Sequence, residues 1–190
     1  MEIIYLAGGC FWGMEHLCRQ LPGVAEATSG YANGDRADHA NYAAVCSGVT
    51  GFRETVRVTY DPARISLERL LFAFFAVIDP ETADRQGMDI GTQYQTGVYW
   101  TTAAQEAVVR RIFTLEAAPL EEFAVECGPI RCFYPAEEEH QRYLEKHPRG
   151  YCHISLRKMA ALPRCSLPSY DRPAKTILRA FMDAEEQRES

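Results

Sequence analysis

The chain has 190 residues, 47% of them hydrophobic and 24% charged, with a formal net charge of −6. That composition suits a globular domain with a sizeable core, and the acidic balance argues against a non-specific grip on nucleic acid or an anionic membrane. No run of about 20 apolar residues is available to span a bilayer. The first residues lack the basic-then-apolar pattern of an export signal, so a cytoplasmic protein is expected, and seven cysteines in a reducing setting point to redox chemistry or metal binding rather than a disulfide framework.

The first apolar run, Ile3-Ile4-Tyr5-Leu6-Ala7, predicts a buried strand. Gly8-Gly9-Cys10-Phe11-Trp12-Gly13-Met14-Glu15 follows, and apolar residues then recur at helical spacing through Leu17, Cys18 and Leu21. Cys10 therefore falls at a strand-to-helix turn, where the first free N–H groups and the helix dipole favour an anion. A thiol there is expected to lose its proton more readily than a free one, and the thiolate is the reactive form. The competing reading is a small buried cysteine that fills space; the paired glycines, the helix start and the aromatic pair favour the reactive one. Phe11 and Trp12 point about 100° apart, so both cannot centre on one buried stripe. A pocket wall and two core anchors remain equally open.

Pro22-Gly23 breaks the helix, residues 24–31 read as a weak strand, and Asn33-Gly34 signals a turn. Residues 35–50 read as a loop carrying Asp38, His39, Tyr42 and Cys46. From Glu54 to Tyr60 the alternation is that of a half-buried strand, and period-2 counting puts Glu54 on the face of Val56, Val58 and Tyr60. A carboxyl on an apolar face is either an acid kept protonated by desolvation or a structural partner of Arg53 or Arg57. Ser66 is the expected N-cap of a helix carrying Leu67, Leu70, Leu71, Phe74, Phe75 and Ile78, stopped by Asp79-Pro80. Residues 80–93 are polar and irregular, and a loop that long is usually functional. Tyr42, Asp89 and Tyr94 lie on predicted loops, where sites often form, although each alone reads as an ordinary surface residue.

Thr96 to Trp100 reads as a strand, and Thr102 with Gln105 as the capping box of a helix reaching about Ala117. Phe123 to Cys127 predicts another strand, and Pro135 the first position of a helix through His140 and Leu144. Beyond His147 the chain turns loop-rich, punctuated by Pro148, Gly150, Pro163, Pro168 and Pro173, and it carries Cys152 and Cys165 before a last helix over about 173–187. The fold class expected is α/β, an α+β two-layer sandwich of a mixed sheet with packed helices. Residues 1–155 form the catalytic domain in this reading, and 156–190 a tail with a final helix packed on it.

Competing chemistries find little support. Cys127, Cys132 and Cys152-His153 lack the paired close spacing of a structural zinc site, so no metal is expected. There is no Gly-x-Ser-x-Gly elbow for a serine hydrolase and no Gly-x-Gly-x-x-Gly phosphate loop.

Assembled, the pattern resembles the A-type peptide methionine sulfoxide reductases. Gly9-Cys10-Phe11-Trp12-Gly13-Met14-Glu15 matches their signature. Leu21-Pro22-Gly23-Val24, Gly30-Tyr31-Ala32-Asn33-Gly34, residues 42–51, Tyr60-Asp61-Pro62, residues 89–94 and Phe133-Tyr134-Pro135-Ala136-Glu137 to His140-Gln141 follow in family order. The likeness covers about residues 3–155 and leaves out the rest. It implies thiol-dependent reduction of the S epimer of methionine sulfoxide, free or in proteins, a repair activity against oxidative damage that uses no cofactor. Cys10 would attack the sulfoxide sulfur, Phe11 and Trp12 would hold the methyl group, and Glu54 would protonate the oxygen with help from Tyr42 and Tyr94. Asp89 would help place the substrate. Cys152 resembles the resolving position, closing a disulfide that a thioredoxin-like reductant reopens, and Cys165 is a candidate for relaying it. A monomer is expected. Two departures from the pattern stand out: Phe52-Arg53 where His-Ala or similar is usual, and Met88 where Asn is usual.

Overall fold

The structure is a computed structural model, and it describes residues 1–167 and 169–189; Pro168 lies outside them. In chain order the elements are β1 (Glu2–Ala7), α1 (Phe11–Gln20), β2 (Val24–Ala32), α2 (Tyr42–Cys46), β3 (Arg53–Tyr60), α3 (Leu67–Val77), β4 (Arg85–Gln86), β5 (Asp89–Ile90) and β6 (Gly97–Trp100). They continue with α4 (Ala103–Ala117), β7 (Glu126–Pro129), β8 (Phe133–Pro135), α5 (Tyr143–Lys146), α6 (Leu156–Ala161) and α7 (Ala174–Glu189). Six strands form one mixed sheet in the order β7-β6-β1-β3-β2-β8, with β4 and β5 as a separate hairpin. Among the described residues, only the β6–β7 pair is parallel.

Alternation along the strands sorts the two faces. Ile4, Leu6, Val56, Val58, Tyr60 and Val98 enter the main core with Phe11, Met14 and Leu17 of α1 and the buried stripe of α3. Ala7, Ala32 and Tyr99 form a small cluster on the reverse face with Tyr5 and Phe133. The sandwich therefore has the sheet and helix layers expected, because each element has one apolar side to cover. Ser66 caps α3 through its side chain. Thr102 caps α4 likewise, while Gln105 reaches back to the amide of Thr101 at 2.9 Å, one residue before the usual partner.

Four local expectations are corrected. Pro135 ends edge strand β8 rather than opening a helix: Gly30 pairs with Pro135 and Ala136 N donates to Ser29 O, so the sheet claims this stretch. Only a 3-10 turn at Glu138–His140 and the short α5 follow. The strand expected at Phe123–Cys127 begins at Glu126, because Phe123 packs into the Phe75–Phe113 ring cluster instead. The loop expected over 35–50 holds α2, opened by the Asn41 side chain accepting from Ala44 N, so Tyr42 stands at a helix start. The polar segment 80–93 contains the β4–β5 hairpin, and Gln86, 2% exposed, ties it to both backbone groups of Asp79.

In the tail, Lys158 donates to Ala76 O and Arg69 to Leu162 O, joining α6 and its end to α3. Glu116 accepts from Tyr170 Oη and Ala174 N, both at 2.7 Å, at the start of α7. Among the described residues no helix is long and apolar enough to cross a membrane.

Candidate active site

The turn between β1 and α1 is the centre of the site. Gly9 has φ +83, a conformation L side chains rarely adopt, and Cys10 is the N-cap of α1. Directly across the sheet face, Glu54 rises from β3 among Val56, Val58 and Tyr60, 2% exposed, and its Oε2 accepts the Phe11 amide at 3.0 Å. Neither arginine neighbour pairs with it. Arg53 turns to the reverse face and binds Glu126 at 2.8 Å, and Arg57 lies near Glu26 and over the Phe133 ring. The unusual Phe52 is a core ring against Tyr31 and Tyr134. Desolvation pushes the Glu54 carboxyl up to about 8, against the pull of the Phe11 amide, with Asp89 adding to the rise. At neutral pH it holds its proton.

Cys10 corrects the expectation of an acidified thiol. It is 6% exposed, and burial first, then Glu54, push its pKa well above the ordinary thiol range, opposed by the Trp12 amide. Glu54 takes the Phe11 N–H, so the anion-binding capacity of the helix start is shared with a buried carboxyl rather than left to the sulfur.

The same buried titratable groups link the remaining residues of the constellation. Burial, with Cys46, Glu54 and Cys10 adding to it, pushes Tyr42 up to about 12. Tyr94 is raised by burial and then by Glu54, Cys10, Asp89 and Tyr42. Glu137 fixes this side: one oxygen accepts from Tyr31 Oη and the other from Tyr42 N, each at 2.8 Å. Phe11 is buried against Tyr31 and His140, whereas Trp12 is half-buried and stacks on Tyr143 with centroids 3.7 Å apart. Trp12 Nε1 donates to His140 Nδ1 at 3.3 Å, which places the histidine proton on Nε2, and the Tyr42 ring lies 4.4 Å from the His140 ring. Glu15, buried and pushed up to about 7, accepts the Arg142 amide and so holds the segment that carries His140 and Tyr143.

The tail returns over this turn as a strap. Tyr151 Oη donates to Asp89 Oδ2 at 3.1 Å, and Ile154 is 3% exposed in the core. Between them, a Cβ added at Gly13 would stand 3.0 Å from Cys152 Sγ, so this thiol rests on α1 one turn beyond Cys10. Cys165 is not brought in: it is 2% exposed, in a cavity wall with Leu21, Pro22 and Arg69 at the opposite end of α1. All seven cysteines are free. Among the described residues, no three His, Cys, Asp or Glu side chains gather as a metal site.

The sequence profile of the peptide methionine sulfoxide reductases matches residues 2–164. The chain belongs to that family. The reduced form of Mxr1 from Saccharomyces cerevisiae is 38% identical, covering 82% of this chain and 91% of that one, with a TM-score of 0.76. Methionine sulfoxide reductase A of Corynebacterium diphtheriae is 32% identical over 90% of this chain and 82% of its own, with a TM-score of 0.71. Mxr1 in complex with Trx2 is 27% identical, covering 73% and 83%, with a TM-score of 0.54. As a methionine sulfoxide reductase, the chain is a thiol-dependent enzyme.

Of the residues singled out from the sequence, Cys10, Glu54, Tyr42, Tyr94, Asp89, Trp12 and Cys152 converge on one turn. Glu137, His140, Tyr143 and Tyr151 complete the surroundings and were not singled out as site residues. The run from Phe133 to His140 was legible only as a family landmark. A glutamate and a histidine in a charged stretch carry no periodic signal that separates them from their exposed neighbours.

Proposed function

We propose that this reductase acts on the S epimer of methionine sulfoxide, protein-bound or free, with Cys10 as nucleophile and Glu54 as the acid. The observation that carries the reading is the Glu54 carboxyl, buried and held on the Phe11 amide one residue from Cys10, where desolvation favours its protonated form. Cys10 sulfur attacks the sulfoxide sulfur as Glu54 gives its proton to the oxygen. Oxygen passes to Cys10, methionine leaves, and the carboxylate receives the proton that left the thiol. Glu54 thus ends the step as it began, which suits a site where both groups rest protonated. Tyr42 and Tyr94 supply phenolic donors to the oxygen; phenols are un-ionised at neutral pH, and the upward shift of both favours that form further. Trp12, with Phe11 buried behind it, forms the wall for the methyl group, and Asp89 places the substrate.

The Cys10 sulfenic acid then condenses with the Cys152 thiol, releasing water. A thioredoxin-like dithiol reopens the disulfide; the Mxr1–Trx2 complex supports such a partner. Cys165 would enter this relay only after residues 156–165 unpack from α3. We further infer a cytoplasmic monomer, with a catalytic domain over residues 1–155 and a tail over 156–190 held on it by α6 and α7. No cofactor takes part.

Turnover measured separately on the two sulfoxide epimers tests the reading. Reduction confined to the S form and abolished in Cys10→Ser is expected; equal turnover of both epimers, as a non-selective thiol peroxidase gives, would overturn it.

A further inference from the structure

The strap bearing Cys152 is tied to the catalytic turn by a contact outside the chemistry described above. His153 Nε2 lies 2.9 Å from Gly8 O, two residues before Cys10. A carbonyl only accepts, so the imidazole must carry its proton on Nε2. Nδ1 is buried with no hydrogen-bond partner, so a second proton there would have nothing to donate to and the site disfavours the imidazolium. The ring is thus a neutral, single-tautomer donor. Burial pushes its pKa down, against the Gly8 carbonyl and Asp89, which pull the other way. The turn it grips has little room: a Cβ at Gly9 would stand 3.3 Å from His153 Nε2 and 2.7 Å from Gln86 Cβ. The neighbouring Cys152 side chain meets α1 at Gly13, and its Sγ turns back to Ile154 O at 3.5 Å. The residue after Cys152 and the turn before Cys10 are therefore fixed to each other.

We infer that His153 is a positioning residue: its bond to the Gly8 carbonyl holds the Cys152 thiol in reach of the oxidised Cys10 sulfur and sets the rate of disulfide closure. The inference rests on Cys152 being the resolving thiol. In the step it governs, Cys152 sulfur attacks the Cys10 sulfenic sulfur, the S–S bond forms and the S–O bond breaks. The departing hydroxide takes the Cys152 proton and leaves as water. Untethered, the strap samples other positions, and each productive encounter must first restore this one.

The test is a single turnover with methionine sulfoxide and no reductant. A dimedone-type trap reads sulfenic acid, and intact mass reads the disulfide. In His153→Phe, which keeps bulk and removes the donor, closure is expected to slow about tenfold relative to sulfenic acid formation. His153→Gln, whose amide nitrogen extends about as far as Nε2, should restore most of that loss. If His153→Phe has no cooperative thermal transition, His153→Leu replaces it. Closure at the parent rate without the donor, or equal slowing in the donor and non-donor variants, overturns the inference. Cys152→Ser separates the two readings. If it still closes a disulfide with Cys10, the resolving assignment is what fails; if it accumulates sulfenic acid, the His153 comparison decides alone.

Discussion

Replacing Glu54 by glutamine tests the site through stability as well as rate. The carboxyl titrates at about 8 in the folded chain against an ordinary 4.5. The folded state therefore binds this proton more tightly than the unfolded one, and across that window its contribution to stability declines as pH rises. The slope approaches 1.4 kcal/mol per pH unit, so from about pH 5.5 to about pH 7.5 the wild type loses up to about 3 kcal/mol on account of Glu54 alone. The substituted amide has no proton to lose and still offers an oxygen to the Phe11 N–H. Other titrating groups, Glu15 among them, are common to both chains and cancel in the difference. Urea unfolding of both proteins at the two pH values should show the gap moving in favour of Glu54→Gln by up to that amount at the higher pH. The same variant should reduce sulfoxide about 10²–10⁴-fold more slowly, having lost its transferable proton. A stability gap independent of pH would falsify the claim that the folded carboxyl is neutral, and an unchanged rate would remove it from the chemistry.

Two further substitutions probe the strap and the tail. Gly13→Ala puts a methyl 3.0 Å from Cys152 Sγ and 3.3 Å from Ile154 Cδ1, so the strap must yield. Stopped-flow measurement of disulfide closure should show it slowed, while a thermal melt moves little because alanine favours the helix by about 1 kcal/mol. Glu116→Ala leaves the Tyr170 hydroxyl and the Ala174 amide without their acceptor. A loss of about 2–4 kcal/mol and faster proteolysis within 165–173 are expected; cleavage at the wild-type rate would mean that the tail is held elsewhere.

Local sequence was enough for what depends on neighbours along the chain. The strand before Cys10, the Ser66 and Thr102 helix starts, and the face of Glu54 all follow from short-range rules: an apolar run, a hydroxyl at the N-cap, a period of two. The strand-to-helix turn singled out Cys10, and the family likeness gave Tyr42, Asp89, Tyr94 and Cys152 their roles without saying how they meet. Tertiary structure decided what depends on distant partners. Pro135 closed a strand because β2 lies beside it, and Phe123 left its expected strand for an aromatic cluster. Arg53 went to Glu126 and left Glu54 unpaired. The ionisation of Cys10 reversed because of burial first: a helix start attracts an anion, but desolvation of the thiol outweighs the Trp12 amide, and Glu54, brought to the same turn on the Phe11 amide, adds to the rise. Desolvation then acts on both groups, and burial is set by the whole fold rather than by the residues on either side.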